Sequence, residues 1–266
     1  MTRMGMAGFF AAAMVGACNE TVTTTSTAGS SNQTITSVPT MMAEATPAMT
    51  ATSGAAAAAT AEATPAAGPT NVLNLNLPKI NKSVATWKFG LKRPDPFPAK
   101  FDAKKDYFAT LHTTKGDITV KFFPEIAPKH VTSFIYLSTI GYYDDAPFHR
   151  VCKDFMMQGG DPSGQGSGGP GYTVPREFNA RKHVKGVLSA ARTPDPDSAG
   201  SQFFLMFTAY PSLDNQYSVF GQVIDEDMSV VEDYHKTVAV PQSVPGCRPK
   251  SLEKIKNVTV FTKDTK

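Results

Sequence analysis

The sequence lacks several signatures of catalytic and binding chemistry. Its five histidines include no pair at metal-ligand spacing, and neither Cys152 nor Cys247 has a neighbouring histidine or second cysteine. No G-x-S-x-G motif is present, so serine hydrolase chemistry has no support. The basic residues form no stripe although the formal net charge is +3, which argues against nucleic-acid binding. We therefore expect a function that needs no metal, no nucleophile and no nucleic acid.

Residues 19–70 lack the side chains from which a folded core is built. They contain no aromatic residue and no lysine or arginine, and their only charges are Glu20, Glu44 and Glu62. Alanine, threonine, serine, proline, glycine and methionine make up most of the rest. Such a segment cannot bury enough apolar surface to offset the loss of chain entropy on folding. We therefore expect a disordered linker over 19–70.

The N-terminus has an apolar run that is too short to cross a membrane comfortably. Arg3 precedes the uncharged residues Met4–Ala17, a length that suits the apolar region of a signal peptide. The run ends in V-G-A-C, which resembles the lipobox of bacterial lipoproteins, although leucine is usual where Val15 stands. We expect residues 1–18 to be a signal peptide whose Cys18 is lipidated and anchors the protein to a membrane of the bacterial cell envelope. An ordinary secretory signal, with a secreted product, is the alternative.

From residue 71 onward the composition becomes that of a globular domain. Residues 71–103 predict a partly ordered extension, and residues 104–264 alternate short apolar strands with two helical segments. The first helix is predicted to begin at Pro128 and to end at Gly141, and the second to cover Asp225–Lys236. Many short strands with two helices far apart in sequence predict a closed antiparallel barrel capped by helices. The predicted strands are Tyr107–Thr114, Asp117–Phe123, Phe148–Val151, Phe155–Gln158, Val187–Ala191, Gln202–Phe207, Val219–Val223 and Val258–Phe261.

The two cysteines of this domain allow two interpretations. Cys152 lies in a predicted core strand, where a buried free thiol is the commoner state. In an oxidising compartment, Cys152 and Cys247 could instead form a disulfide. The sequence favours the free thiol and leaves the disulfide as the alternative.

A glycine-rich stretch imitates a nucleotide-binding motif. Gly164, Gly166 and Gly169 match G-x-G-x-x-G. In nucleotide-binding proteins a helix follows, and its N-terminus receives the pyrophosphate. Here Pro170 and Gly171 follow instead, so we interpret the stretch as a turn-rich surface loop.

The stretch Phe148–Asp161 places one arginine, Arg150, among apolar residues. Phe155 and Met156 follow it, and then come a glutamine and two glycines. The segment Gly200–Leu205 repeats this mixture of glutamine and large apolar groups. Together they predict an apolar pocket beside one fixed hydrogen-bond donor. Such a site could hold a small apolar ring and polarise an amide.

Several linked motifs of the domain resemble a known family. They read F-H-R-V-x-K-D-F-M-M-Q-G-G-D, G-x-G-S-G-G, G-x-L-S-A-A-R, A-G-S-Q-F-F and L-D-x-x-Y-S-V-F-G, in that order over residues 104–264. This set is similar to the cyclophilins, which are peptidyl-prolyl cis-trans isomerases, and the start of the domain resembles bacterial extracytoplasmic members. The resemblance implies a mostly β fold, namely a closed eight-stranded antiparallel β-barrel capped by two α-helices, with the substrate groove on its outer face.

The resemblance also implies an activity and a set of site residues. The activity is the isomerisation of X-Pro bonds in extracytoplasmic protein folding, on proline-containing polypeptides, with no cofactor or metal and by a monomer. A proline-peptide-binding chaperone or scaffold with little turnover is the alternative. Arg150 would be the catalytic residue. The substrate-binding residues would be Phe155, Met156, Gln158, Gly166, Ala191, Arg192, Thr193, Gln202, Phe204, Leu213 and Tyr217.

The chain departs from the family pattern at three positions of this site. Ser212 stands where many members have tryptophan, a position that matters for the inhibitor cyclosporin, so we expect weak inhibition. Arg192 replaces an asparagine, which we expect to change substrate preference and to spare turnover. Tyr217 stands where many members have histidine.

Overall fold

The computed structural model describes residues 77–80 and 91–265. The predicted signal peptide with Cys18 and the predicted linker lie outside the described residues, so both stay predictions. The strands are β1 (Lys105–Thr113), β2 (Asp117–Phe122), β3 (Ala146–Pro147), β4 (Arg150–Cys152), β5 (Met156–Gly159), β6 (Val187–Ala190), β7 (Phe203–Met206), β8 (Val219–Val223) and β9 (Lys254–Asp264). The helices are α1 (Pro128–Thr139) and α2 (Met228–Thr237).

The nine strands form one antiparallel sheet. Their spatial order is β3-β9-β1-β2-β8-β6-β7-β5-β4. The edge strands β3 and β4 are separated in sequence only by Phe148 and His149. Because so short a connection spans only about 10 Å, the sheet must curl until its two edges meet. The covalent chain, rather than a further ladder of hydrogen bonds, joins these edges in the part of the chain that the structure describes.

The sequence therefore predicts the architecture well and the strand count less well. The mostly β, antiparallel fold with two helices is confirmed. The sheet has nine strands rather than eight because Ala146 and Pro147 form an additional two-residue strand that pairs with Ile255 and Lys254 of β9. So short a strand leaves no alternating pattern in the sequence from which to predict it.

The two helices begin close to their predicted positions. Pro128 is the first residue of α1, where its missing N–H costs no hydrogen bond, and Gly141 follows the helix with a φ of 75°. The three acidic residues Asp225–Asp227 form a short 3₁₀ turn just before α2 rather than its first turn. The Asp227 carboxylate accepts a hydrogen bond from the Thr119 N–H at 2.7 Å, which ties this turn to β2.

Side-chain alternation along the strands builds two separate apolar clusters. On β7, Phe203 and Leu205 face the main core, whereas Phe204 and Met206 face a second cluster. Strand β5 divides in the same way, with Met157 in the main core and Met156 in the second cluster. We call the second group the groove cluster. Its buried members are Phe123, Cys152, Met156, Val187, Ala191, Phe204, Met206, Val219 and Cys247.

The segment before β1 packs on this domain. The Leu91 N–H donates to the Pro170 carbonyl at 3.1 Å, and the Ala99 N–H donates to the Thr132 hydroxyl at 2.9 Å. These two contacts hold Leu91 against the end of the glycine-rich loop (residues 159–171) and Ala99 against α1.

Candidate active site

Arg150 lies at the first position of β4, at the edge of the sheet. It pairs in register with Gln158 of β5. Its guanidinium carbon lies 5.8 Å from the centre of the Phe155 ring, within cation–π range. Burial lowers the pKa of Arg150 from its ordinary value, and the nearby Tyr217 opposes this shift. A guanidinium stays protonated at neutral pH after such a shift, so the site presents a partly desolvated cation.

The apolar residues predicted to line the pocket meet in the groove cluster. Met156, Phe204 and Ala191 are among its buried members, and Phe155, Leu213 and Tyr217 pack against it while remaining partly exposed. The side chains that stay partly exposed can contact a bound peptide, while the buried ones support them. The residues predicted to line the pocket therefore lie in one apolar cluster, distinct from the main core.

Ring contacts hold the pocket walls in place. The Tyr217 ring meets the Phe204 ring edge-on, with 5.6 Å between their centres. The His183 ring stacks on Phe204 at 6.0 Å, and its Nδ1 lies 3.2 Å from the Asp214 carboxylate. Edge-on and stacked aromatic pairs have preferred geometries, so Phe204 is held between two rings.

The two predicted glutamines are bonded to each other and to the glycine-rich loop. The Gln158 side-chain amide donates to the Gln202 side-chain carbonyl at 2.9 Å. Gln202 in turn donates to the carbonyl oxygens of Gly166 and Gly168, both at 2.9 Å. The Gln158 side-chain oxygen is buried and has no hydrogen-bond partner among the described residues. The glutamine pair therefore supports the glycine-rich loop, and the remaining Gln158 acceptor is closed off from the surface.

The glycine-rich loop is organised by Asp161, a residue that the sequence did not single out. Asp161 is fully buried and accepts hydrogen bonds from the Ser163 N–H and hydroxyl and from the N–H groups of Gly166 and Gly168. Burial alone would raise the pKa of this carboxyl, but these hydrogen bonds outweigh it, and the pKa is lowered. A side chain at Gly168 would overlap the Asp161 carboxylate, with its Cβ only 2.1 Å from an oxygen. The loop is therefore shaped around a buried anion.

Arg192 and Thr193 lie in the loop that follows β6. The Thr193 hydroxyl and N–H both bond to the Ser198 hydroxyl, at 2.7 and 3.0 Å, and Thr193 is exposed. The Ala191 N–H donates to the Gln202 carbonyl at 3.0 Å, which places this loop beside the glutamine pair. The Arg192 side chain reaches across to the loop that carries Tyr217, where its guanidinium carbon lies 4.5 Å from the ring centre.

The structure corrects the favoured interpretation of the cysteines. Cys152 and Cys247 form a disulfide, with their Cα atoms 5.0 Å apart although they are separated by 95 positions in sequence. The expectation of a buried free thiol at Cys152 was wrong because the loop before β9 folds back over β4. No local pattern in the sequence reports an approach over that separation.

Two further residues, Ser212 and His149, are sequence neighbours of the candidate site residues Leu213 and Arg150. Ser212 is exposed in the turn Pro211–Leu213, next to Leu213, so the expected weak binding of cyclosporin stays a prediction. His149 is buried beside Gly166, and burial lowers its pKa, so it is neutral at neutral pH.

No group of three histidine, cysteine or acidic side chains within 77–80 and 91–265 could hold a metal ion. Among those same residues, no helix has the length and apolar character of a membrane span.

The comparisons with known proteins agree with this geometry. Residues 108–260 match the family model described as cyclophilin type peptidyl-prolyl cis-trans isomerase/CLD. A peptidyl-prolyl cis-trans isomerase of Synechococcus elongatus is 45% identical over 119 residues, which cover 45% of this chain and 81% of that protein. One from Arabidopsis thaliana is 40% identical over 157 residues, covering 57% of this chain and 94% of that protein.

Solved structures give the same assignment. The crystal structure of a cyclophilin type peptidyl-prolyl cis-trans isomerase from Cryptosporidium parvum aligns with a TM-score of 0.55 and 29% identity, covering 59% of this chain and 99% of that one. A crystal structure of that protein in the presence of the dipeptide Ala-Pro aligns with a TM-score of 0.54 and 30% identity, with the same coverage.

Proposed function

The chain belongs to the cyclophilin-type peptidyl-prolyl cis-trans isomerase family, and we propose that it uses Arg150 to isomerise X-Pro bonds in proteins that fold outside the cytoplasm. The observation that carries the assignment of the catalytic residue is the position of Arg150. It is a partly buried cation at the edge of an apolar groove, beside Phe155 and Tyr217.

The chemistry requires only that the rotating amide loses its double-bond character. Rotation about the peptide bond has a barrier of about 18–20 kcal/mol, which arises from resonance between the nitrogen and the carbonyl. Uncatalysed X-Pro exchange accordingly takes tens to hundreds of seconds. A donor directed at the proline nitrogen favours the pyramidal state, in which this resonance is lost. The reaction needs no proton transfer and no covalent intermediate.

Arg150 is suited to this role by its chemistry and its surroundings. A planar guanidinium is always charged and donates in fixed directions. Because it is partly desolvated, its interaction with a developing lone pair is stronger than in water. The strand pairing with Gln158 fixes the backbone of Arg150, and the contact with the Phe155 ring orients its guanidinium.

The groove holds one side of the bond while the other side rotates. The partly exposed Phe155 and Leu213 supply apolar surface for a proline ring, and the buried Met156 and Phe204 support them. Holding one side of the bond also keeps the proline nitrogen within reach of the Arg150 donor throughout the rotation.

Substitution of Arg150 tests this assignment. We expect Arg150→Ala to lower kcat/KM by about 100-fold, the scale seen when one preorganised transition-state donor is removed, while peptide affinity changes little. The measurement is a protease-coupled assay on a proline tetrapeptide, with affinity taken from an NMR titration. Arg150→Lys should recover little activity because an ammonium lacks the planar fork.

Arg176→Ala is the matched control. Arg176 is exposed and lies 3.8 Å from Asp197, so its loss changes the net charge equally without altering the groove. Wild-type activity in Arg150→Ala would contradict the catalytic role.

Two features support an extracytoplasmic location. The disulfide between Cys152 and Cys247 is of a kind that persists in oxidising compartments and is rare in the cytosol. The signal-peptide pattern of 1–18 and the low-complexity segment 19–70 suit an anchored domain on a long tether. As a random coil, that segment would have a reach of about 40 Å.

The mass of the mature N-terminus tests the proposed anchor. We expect the protein from the membrane fraction to begin at Cys18 and to carry acyl chains. Cys18→Ser should lose both the lipid and the membrane fractionation while the isomerase activity stays unchanged. A mature chain without lipid on Cys18 would contradict the anchor and leave the assignment of Arg150 untouched.

A further inference from the structure

The loops that frame the groove are joined by a side chain, and that side chain belongs to Arg192. We call residues 191–202 the β6–β7 loop and residues 207–218 the β7–β8 loop. Strand pairing holds the bases of both loops, as in the hydrogen bond from the Ala190 N–H to the Ser218 carbonyl at 3.0 Å. Farther out, the Arg192 guanidinium spans the space between them.

Arg192 makes hydrogen bonds to both loops at once. Its Nε and Nη2 donate to the Gln216 carbonyl of the β7–β8 loop, at 3.1 and 2.9 Å. Its Nη1 donates to the Thr193 and Pro194 carbonyls of its own loop, at 2.9 and 3.3 Å. A planar fork whose donors point in fixed directions can satisfy these carbonyls together, and an ammonium cannot.

The same guanidinium also lies over the Tyr217 ring. The central carbon of the guanidinium lies 4.5 Å from the centre of the Tyr217 ring and 5.7 Å from the centre of the exposed Phe178 ring. Tyr217 in turn meets Phe204 of the groove cluster edge-on. A continuous series of contacts therefore leads from Arg192 through Tyr217 to the floor of the groove.

Gln216 also links the Arg192 contacts to Leu213. The Gln216 N–H donates to the Leu213 carbonyl at 3.1 Å, and its side chain donates to the Ser212 carbonyl at 2.9 Å. Holding the Gln216 carbonyl therefore also restrains the turn that carries Leu213, a second wall of the groove.

We propose that Arg192 is a positioning residue that clamps the β6–β7 loop to the β7–β8 loop and so fixes Tyr217 and Leu213 as preformed walls of the proline groove. This proposal rests on the groove being the substrate site. Arg192 does not act on the rotating bond. It lowers the entropy that the loops lose when a peptide binds, so its effect falls on binding rather than on the rate of the bound complex.

The test separates KM from kcat. We expect Arg192→Ala to raise KM, and the Kd for a proline tetrapeptide, by about three- to tenfold, the scale of a lost cation–π contact together with lost hydrogen bonds. The kcat should stay within about twofold because the transition-state donor remains in place. Arg192→Lys should show most of the increase, since a lysine can stack on Tyr217 but cannot bridge the two loops.

Arg93→Ala is the matched control. Arg93 is exposed and lies 4.8 Å from the Phe97 ring, so it removes the same charge and the same kind of cation–π contact outside both loops. Its KM should equal that of the wild type. A double-mutant cycle of Arg192→Ala with Tyr217→Leu should show that the two effects are not additive, because both act through one wall.

The possible results are distinct. An unchanged KM in Arg192→Ala, or a loss confined to kcat, would overturn the clamp. If Arg192→Ala does not fold, Arg192→Lys must still raise KM, and a wild-type value there would also overturn it. The NMR titration measures peptide affinity separately from the rate of turnover, so failure of the clamp is distinguishable from failure of the catalytic assignment to Arg150.

Discussion

Asp161 is the residue on which the shape of the glycine-rich loop depends. Its buried carboxylate gathers three backbone N–H groups and one hydroxyl from Ser163, Gly166 and Gly168. The carbonyl groups of that loop anchor Gln202, and Gln202 anchors Gln158, the register partner of Arg150. A change at Asp161 should therefore reach the catalytic residue through three hydrogen-bonded steps and the strand pairing of Gln158 with Arg150.

We expect Asp161→Asn to destabilise the protein by about 2–4 kcal/mol, because an amide has one acceptor oxygen and would direct an N–H at loop donors. The kcat/KM should fall about three- to tenfold as Gln202 and Gln158 lose their support. Urea unfolding and the coupled assay measure the two effects. Asp264→Asn, at the exposed end of β9, is the control and should match the wild type in both.

The stability difference between the wild type and Asp161→Asn should depend on pH, because the pKa of Asp161 is lowered in the folded protein. A carboxyl whose pKa is lower in the folded state contributes stability above its unfolded pKa of about 3.9. That contribution is lost as the pH falls through the folded value. The stability gap between the wild type and Asp161→Asn should therefore be full at pH 6 and shrink below about pH 4. A gap that stays constant into the acid range would contradict the role of the charge.

Single residues also show the limit of motif-based prediction. A pocket could be predicted because two segments combine glutamine with large apolar groups. The first contains Arg150, Phe155 and Met156, and the second contains Phe204. Gln158 and Gln202 were expected to face the peptide, yet most of their hydrogen bonds are spent on each other and on the loop. Residue identity reports which groups can bond, and only the fold decides which partners come within 3 Å.

The first helix depends on a cap from a distant part of the chain. The Glu177 carboxylate accepts hydrogen bonds from the N–H groups of Lys129 and His130, at 2.9 and 3.0 Å, and lies 2.6 Å from the His130 Nδ1. A carboxylate at a helix N-terminus satisfies free N–H groups and opposes the positive end of the helix dipole. The local residue before the helix, Ala127, provides no side-chain cap.

We expect Glu177→Gln to lower the stability by about 1–3 kcal/mol, because an amide can replace only part of this set of acceptors. Hydrogen exchange at the N–H groups of Lys129 and His130 should become faster, and the loss should appear in thermal unfolding. Glu125→Gln is the control, since Glu125 is exposed in the turn before the helix. Equal stability of the two variants would show that Glu177 is not a cap.

The elements themselves were largely predictable. Alternation places Phe203 and Leu205 on one face of β7 and Phe204 and Met206 on the other, and this period of two can be read directly from the residues. Pro128 marks the start of α1 for an equally local reason. The cap supplied by Glu177 was not predictable, since 47 residues separate it from His130 and no local signal connects them.

The disulfide acts on the molecule as a whole. It joins β4, which carries Arg150, to the loop before β9, and it closes a long segment of chain. The same loop is held again where the Arg248 guanidinium donates to the Gly164 carbonyl at 2.8 Å. Together these contacts fix the C-terminal part of the domain to the glycine-rich loop and to the edge of the sheet.

We expect the double variant Cys152→Ala/Cys247→Ala to have a free energy of unfolding about 3–5 kcal/mol lower than the wild type. This is the range for a cross-link that closes a loop of about 100 residues. The measurement is thermal and urea unfolding of the full chain with and without a reductant. Reductant should destabilise the wild type and leave the double variant unchanged. A wild type that is indifferent to reductant would contradict a stabilising disulfide.

Local patterns were enough to predict the class of fold and the order of its elements, and the resemblance to the cyclophilins supplied the arginine and the apolar residues assigned to the groove. They suffice because alternation, helix start signals and motif composition depend on residues that are close in sequence. The tertiary structure alone decided that the sheet curls until β3 meets β4, that Cys152 pairs with Cys247, and that Arg192 bridges two loops. Each of these contacts joins groups that lie on different elements. Their approach is set by how the whole sheet twists and packs, which no local stretch of residues encodes.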